Sequence, residues 1–288
     1  MRLIAIVAAF VCLLAACGPY ATAQSPARPS SRLSPTSTPS TKPAPAASHV
    51  FVIVMENRSF KEVIDSPYIA QLAAKYGVAT NYHSVSSPSL PNYLALTSGD
   101  TWGIRDNDYH RLPAGGLGAQ LADAGIDWRA YMEGMTGGCF DSTPLYSLKH
   151  NPFAYYGGAC PPQVVPFTTF ATDMSGTVPR FVWITPDMCH DGHDCNTAVA
   201  DDWLSQAVPI ILGSAAWKDN GLLLITWDEG AGDDDQVLTL VIRPRSVART
   251  SEQRYDHYSL LATIEDQLGV ARLGEAAQAR ALNDLLAN

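Results

Sequence analysis

The chain has 288 residues, of which 47% are hydrophobic and 16% charged, so it is long enough to bury a full core in an ordinary globular domain. A formal net charge of -9 argues against nucleic acid as a partner, because nothing would offset repulsion from phosphates over a large surface. Beyond the N-terminus no apolar stretch is long enough for a membrane helix.

Met1-Arg2 is a short positive start, and Leu3 to Ala16 an apolar run too short to span a bilayer. Leu14-Ala15-Ala16-Cys17 is a small-residue cleavage site ending in cysteine. Residues 1–17 therefore read as a signal peptide whose end resembles a bacterial lipobox. Lipidation of Cys17 would then anchor the protein to a membrane. Ala21-Thr22-Ala23 offers an ordinary signal cleavage site instead. Residues 18–47 are rich in Ser, Pro, Thr and Ala and read as an extended, solvated linker. Either route places the remainder outside the cytoplasm, as a cell-surface lipoprotein or a secreted protein. The mature cysteines agree with export: Cys139 with Cys160 and Cys189 with Cys195 form two close pairs. An even number in an exported chain reads as disulfides, with local pairing the simplest of about three connectivities.

Residues 48–288 contain no repeat and no second linker, which implies one domain. The apolar run from His49 to Met55 predicts a buried parallel strand, Phe60 to Tyr76 a helix, and Val78 to His83 a strand. Helices are expected at Leu90 to Thr97 and Leu117 to Ala124, and strands at Asp127 to Met132 and Arg180 to Thr185. Between these strands, Met135 to Phe167 reads as an irregular insertion stapled by Cys139 and Cys160 over the functional edge of the sheet. Thr197 to Trp217 predicts a long helix containing Pro209, then strands follow at Leu222 to Trp227 and Val237 to Ile242. Tyr258 to Leu268 and Gly274 to Ala287 predict terminal helices. The alternation implies an α/β fold with a mostly parallel central sheet and helices on both faces.

Chemistry gathers at the carboxyl ends of parallel strands, and two strands here run straight into oxygen ligands. The first ends in Glu56-Asn57 and the later one in Asp228-Glu229, a pattern that suits a hard cation. Ser89 lies just before Pro91, a residue tolerated in the first turn of a helix, so its hydroxyl sits where free N–H groups favour an alkoxide or a phosphate. His190 and His193 lie in an ionisable stretch between Cys189 and Cys195, and His257 stands at the start of a late helix. Asp233, Asp234 and Asp235 read as a solvated loop.

Together these motifs carry a resemblance. Val54-Met55-Glu56-Asn57-Arg58-Ser59-Phe60, Pro88 to Tyr93, Asp191 to Cys195, Trp227-Asp228-Glu229 and Asp256-His257 are similar to the bacterial phosphoesterase family of phospholipases C and secreted acid phosphatases. The match is closest in kind to the phosphatidylinositol-3-phosphatase-like acid phosphatases, and it implies an alkaline-phosphatase-like sheet with a phosphoesterase domain at 48–288. It also implies that Glu56, Asn57, Ser89, Asp228 and Glu229 bind one divalent metal ion, and that Ser89 is the phosphorylated nucleophile. His193 and His257, and His190 after them, would hold phosphoryl oxygens and serve the leaving group. Asn92, Lys149 and His150 would contact substrate. An oxygen-rich sphere favours Ca²⁺, Mg²⁺ or Mn²⁺ over Zn²⁺. The expected activity is hydrolysis of phosphate monoesters, phosphoinositides among them, by a monomer. The rival readings are a phospholipase C-type phosphodiesterase and a surface binding lipoprotein without turnover.

Overall fold

A computed structural model describes residues 46–232 and 234–286. The signal peptide, Cys17, most of the linker and Asp233 lie outside the described residues. Val50–Met55 forms β1, every residue of it buried, as befits a strand flanked by parallel neighbours on both sides. The helix expected from Phe60 to Tyr76 is two, α1 (Phe60–Val63) and α2 (Pro67–Ala73). Pro67 has no N–H with which to continue α1, and Ser66 before it is extended. Next come β2 (Gly77–His83), α3 (Ser89–Ser98), α4 (Gly116–Asp123) and β3 (Trp128–Met132).

The expected irregular insertion holds two short 3-10 turns, Leu148–His150 and Pro152–Ala154, and ends in β4 (Val164–Pro166). Cys139 and Cys160 are joined across it, as are Cys189 and Cys195 further on. After α5 (Phe170–Ser175) and β5 (Phe181–Thr185), the long helix expected up to Trp217 is α6 (Thr197–Gly213), with Pro209 inside it, and α7 (Ala215–Lys218). Ser214 separates them: its hydroxyl accepts from Trp217 N–H and starts α7 anew. The last strands are β6 (Leu222–Trp227), β7 (Gln236–Ile242), β8 (Arg249–Ser251) and β9 (Tyr255–Asp256), followed by α8 (His257–Leu268).

The terminal helix expected over 274–287 is absent as such; a 3-10 turn at Gly274–Ala277 and α9 (Asn283–Leu286) stand in its place. The Arg272 guanidinium takes the carbonyls of Ala276 and Ala279, acceptors that a continuous helix would need. Leu282 N–H then bonds the Thr263 hydroxyl, which docks the last turn on α8.

The sheet order is β4-β3-β5-β1-β6-β7-β2-β8, with β9 also paired to β2. Neighbours from β4 to β6 are parallel, and only β7 runs against the rest among the described strands. The carboxyl ends of β1, β2, β3, β5 and β6 therefore open on one edge. Among the described residues no helix is long and apolar enough to cross a membrane.

Candidate active site

Parallel pairing decides which side chains meet. β1 and β6 run in register to Met55 opposite Trp227, so the next residues, Glu56 and Asp228, emerge side by side. Asp228 N–H bonds the Met55 carbonyl at 3.0 Å, and Glu56 N–H bonds the Asp191 carbonyl at 2.9 Å. Asn57 follows with φ of 47°, a left-handed conformation that Asn tolerates better than most residues. That turn aims its N–H at Asp228 Oδ1, 3.1 Å away, and its side-chain amide at Glu56 Oε2, 3.3 Å away.

Ser89 is the first residue of α3 and is buried. Its Oγ lies 3.3 Å from Glu56 Oε2 and 3.2 Å from Glu229 Oε1, so a single hydroxyl proton faces two carboxylates. One turn further along the same helix face, the Tyr93 hydroxyl bonds Glu56 Oε1. Asn92, expected to contact phosphate, holds the preceding loop instead: Oδ1 accepts from the N–H groups of Val85 and Ser86, and Nδ2 donates to the Ser86 carbonyl. Gly230 keeps the Glu229 turn tight, since a Cβ there would lie 1.7 Å from the Asp234 carbonyl oxygen.

The insertion and the disulfide loop deliver the bases. His150 is buried, with Nε2 at 3.1 Å from Glu56 Oε2 and Nδ1 at 3.5 Å from Asp191 Oδ2. Neither His150 Nε2 nor Asp191 Oδ2 is aligned for a hydrogen bond, so these contacts act as charge attraction. His193 Nδ1 lies 2.7 Å from Asp194 Oδ1, and its Nε2 accepts from Lys149 Nζ at 3.0 Å. The His150 and His193 rings are 5.8 Å apart.

Two expected residues stand elsewhere. His190 faces away from Ser89, with Nδ1 at 2.9 Å from Glu133 Oε2 and 3.3 Å from Asp187 Oδ2. His257 is fully buried behind the site, its Nε2–H donated to the Asp228 carbonyl and its Nδ1 accepting from the Tyr82 hydroxyl at 3.0 Å. Both of its nitrogens are occupied, which leaves no atom for a phosphoryl oxygen in this arrangement. Burial pushes its pKa down to about 4, so it is held as a neutral ring. Asp191 and Tyr93 carried no assigned role in the sequence. Their signals were there: Tyr93 is four residues from Ser89 on a helix, and Asp191 is two residues from His193.

Electrostatically the site is unbalanced. Burial, then the charges of Glu56 and Glu229, raise the Asp228 carboxyl well above its ordinary range, and burial raises Glu229 as well. Burial alone would also raise Glu56, but the adjacent His150 prevails and holds it down to about 2. That ring is in turn raised to about 9, since the carboxylates of Glu56 and Asp191 outweigh its burial.

Asp228 Oδ2 is buried with no hydrogen-bond partner among the described residues, an acceptor left open beside the Ser89 network. That observation fits a metal ion. The donors available to one are Glu56, Asn57, Ser89, Asp228 and Glu229, linked through the contacts above. The group at this site whose ligand atoms lie within 4.8 Å of one another is Glu56, His150 and His193, and of these only Glu56 belongs to the expected set. The second such group, Glu133, Asp187 and His190, lies outside the Ser89 network. Asp234 and Asp235, read as a solvated loop, pair with Lys61 and His83 at 2.8 and 3.0 Å.

The chain is 30% identical over 253 residues to a phosphatidylinositol-3-phosphatase of Mycobacterium tuberculosis, covering 84% of this chain and 83% of the relative. It is 30% identical over 243 residues to a phosphate-repressible acid phosphatase of Penicillium chrysogenum, covering 77% of this chain but only 59% of that longer protein. A solved alkaline phosphatase superfamily protein from Vibrio parahaemolyticus shares the fold with a TM-score of 0.60 at 15% identity, over 88% of this chain and 76% of its own. Residues 62–248, which hold Ser89, His150, His193, Asp228 and Glu229, match the phosphoesterase family. The chain belongs to the phosphoesterase family.

Proposed function

We propose that the protein is an exported phosphatase that hydrolyses phosphate monoesters, phosphoinositides among them, through a phosphoserine at Ser89. The observation that carries this reading is the Ser89 hydroxyl, buried at the start of α3 and within 3.3 Å of two carboxylates, beside an unpartnered Asp228 oxygen. Glu56, Asn57, Ser89, Asp228 and Glu229 would hold one divalent ion, and their oxygen-rich character suits Ca²⁺, Mg²⁺ or Mn²⁺. When bound, such an ion neutralises charge on the phosphoryl oxygens and lowers the pKa of the serine hydroxyl.

The remaining chemistry belongs to the chain. Ser89 Oγ forms the bond to phosphorus while the ester P–O bond breaks, and its proton passes to Glu229 or Glu56. Lys149, His150 and the Ser89 N–H at the start of α3 bind the phosphoryl oxygens, Leu90 N–H being taken by Asn107 and Pro91 having none. His193, oriented by Asp194 and sharing a proton with Lys149, protonates the departing oxygen and then draws a proton from the water that attacks phosphorus, while the Ser89 Oγ–P bond breaks and the glutamate returns its proton to Oγ. Tyr93, Asn92 and His257 are positioning residues for Glu56, the loop before Ser89 and the Asp228 turn. The two disulfides support an oxidising, extracytoplasmic location, and the lipobox-like Cys17 supports a membrane anchor.

The test is intact mass after a short pulse of p-nitrophenyl phosphate quenched in acid. A phosphoryl adduct on the wild type that is absent from Ser89→Ala, with turnover lower by roughly 10⁴-fold or more, is expected. Turnover that persists in Ser89→Ala would sink the assignment. The bis-ester of nitrophenol, run alongside, separates the monoesterase from a phospholipase C-type diesterase.

A further inference from the structure

Two cavities open beside the Ser89 loop and share Val85, Ser86 and Ser87 as a wall. The first, about 330 Å³, is lined on its other side by Glu229, Asp234 and Asp235. The second, about 410 Å³, is lined by Thr101, Arg105 and Tyr258. Arg105 is the one cation in the lining of either cavity among the described residues. In a chain of net charge -9, its guanidinium makes no hydrogen bond or ion pair with any described residue. The segment that carries it is tied to the nucleophile's helix, since Asn107 Oδ1 accepts from Leu90 N–H at 3.1 Å. Arg105, an exposed residue, is thus carried on a segment bonded to the first turn of α3.

The two cavities differ in what they can admit. The first presents carboxylates and repels an anion. The second is bordered by Ser86, Thr101 and Tyr258 and by the planar donor fork of Arg105, a lining that suits a polyhydroxylated group bearing an anionic phosphate.

We infer that the groove lined by Ser86, Ser87, Thr101, Arg105 and Tyr258 is the leaving-group subsite, and that it selects phosphate esters of polyhydroxy alcohols carrying a second phosphate. This rests on the reading of Ser89 as the nucleophile. The second phosphate is either a free monoester on a soluble sugar or the phosphodiester of a lipid headgroup, and the same groove chemistry receives both.

The test compares wild type, Arg105→Ala and Arg105→Lys on p-nitrophenyl phosphate, a hexose monophosphate, a hexose bisphosphate and a short-chain phosphatidylinositol monophosphate. The wild type is expected to prefer esters with a second phosphate by about ten-fold in kcat/KM, chiefly through KM. Arg105→Ala should erase that preference, Arg105→Lys should restore part of it, and all three proteins should treat p-nitrophenyl phosphate alike. A preference confined to the hexose bisphosphate assigns the subsite to soluble esters, and one confined to the phosphatidylinositol ester assigns it to headgroups. Equal kcat/KM for mono- and bisphosphate in the wild type, or a parallel loss on every ester in Arg105→Ala, overturns the inference. Should the wild type turn over no ester, the phosphatase reading fails instead. Calorimetric binding of the hexose bisphosphate then decides for the groove: tighter binding than the monophosphate, lost in Arg105→Ala, supports it, and equal binding overturns it.

Discussion

Two clusters of histidine and carboxylates share one edge of the sheet, and they are built to opposite standards. At Glu133, Asp187 and His190 the geometry is settled: Glu133 Oε2 accepts from His190 and from Asp187 N–H, and Asp187 Oδ1 accepts from two backbone N–H groups. At Glu56, His150, Asp191 and Asp228 the side chains are more deeply buried, yet oxygens of Asp191 and Asp228 find no donor. A folded chain ordinarily satisfies its buried polar groups, so a cluster left open at a buried position marks a place where something other than stability was selected. The closed cluster holds the disulfide loop against the end of β3; the open one faces the nucleophile.

Substituting within each cluster should break the two apart. Asp228→Asn keeps shape and removes a charge that its neighbours oppose. Turnover of p-nitrophenyl phosphate should fall roughly a thousand-fold, while urea unfolding in the absence of divalent ions should show a gain of about 1 kcal/mol. A variant that loses activity and stability together would mean that Asp228 is a structural carboxylate and that the contrast is mistaken.

The paired histidines of the disulfide loop sharpen the comparison at smaller amplitude. His193→Ala should lower kcat by roughly a hundred-fold with little change in unfolding, because its Nε2 meets Lys149 and its ring faces His150. His190→Ala should leave kcat within about three-fold and cost about 1 kcal/mol, the value of a partly exposed hydrogen bond that pins a loop. Equal kinetic damage from the two would return His190 to the catalytic set.

Why one histidine and not the other could not be read from the chain. Both lie between Cys189 and Cys195, and which one turns inward depends on Gly192, whose φ of 99° reverses the loop between them. The parts that were legible rest on long apolar runs: β1 and β6 are buried on both faces, so their ends, Glu56-Asn57 and Asp228-Glu229, could be placed at one edge. Ser89 was legible because Pro91 fixes where a helix can begin. The break at Pro67 had a visible cause in the missing N–H, but helical spacing on either side concealed it. The loss of the last helix to the Arg272 guanidinium, and the approach of His150 from an insertion without periodicity, are tertiary events that no local pattern encodes. His257 illustrates the limit best. Its place in the motif was visible, but its two hydrogen bonds, which make it a support for the Asp228 turn, depend on Tyr82 of β2, brought beside it by the pairing of β2 with β9.

Glu265 supplies the control that burial by itself does not make a site. It lies on α8, fully buried, with Oε1 accepting from Leu273 N–H and Oε2 without a partner. Burial raises its pKa to about 8 against an ordinary 4.5, the Leu273 bond and Arg272 only partly offsetting it. Among the described residues no second buried carboxylate or nucleophile is paired with it, so the expected consequence is for folding and not for chemistry. Because the folded state binds this proton more tightly than the unfolded chain does, the contribution is complete below about pH 4.5 and is lost as pH rises through about 8. Glu265→Gln should therefore be nearly neutral at pH 5 and more stable than wild type by about 1 to 2 kcal/mol at pH 9, with kcat unchanged at both. Denaturant unfolding of the two proteins at these pH values checks the sign. A difference that does not grow with pH would show that the carboxyl is already ionised in the fold, and that an unpartnered buried oxygen is tolerated here without protonation.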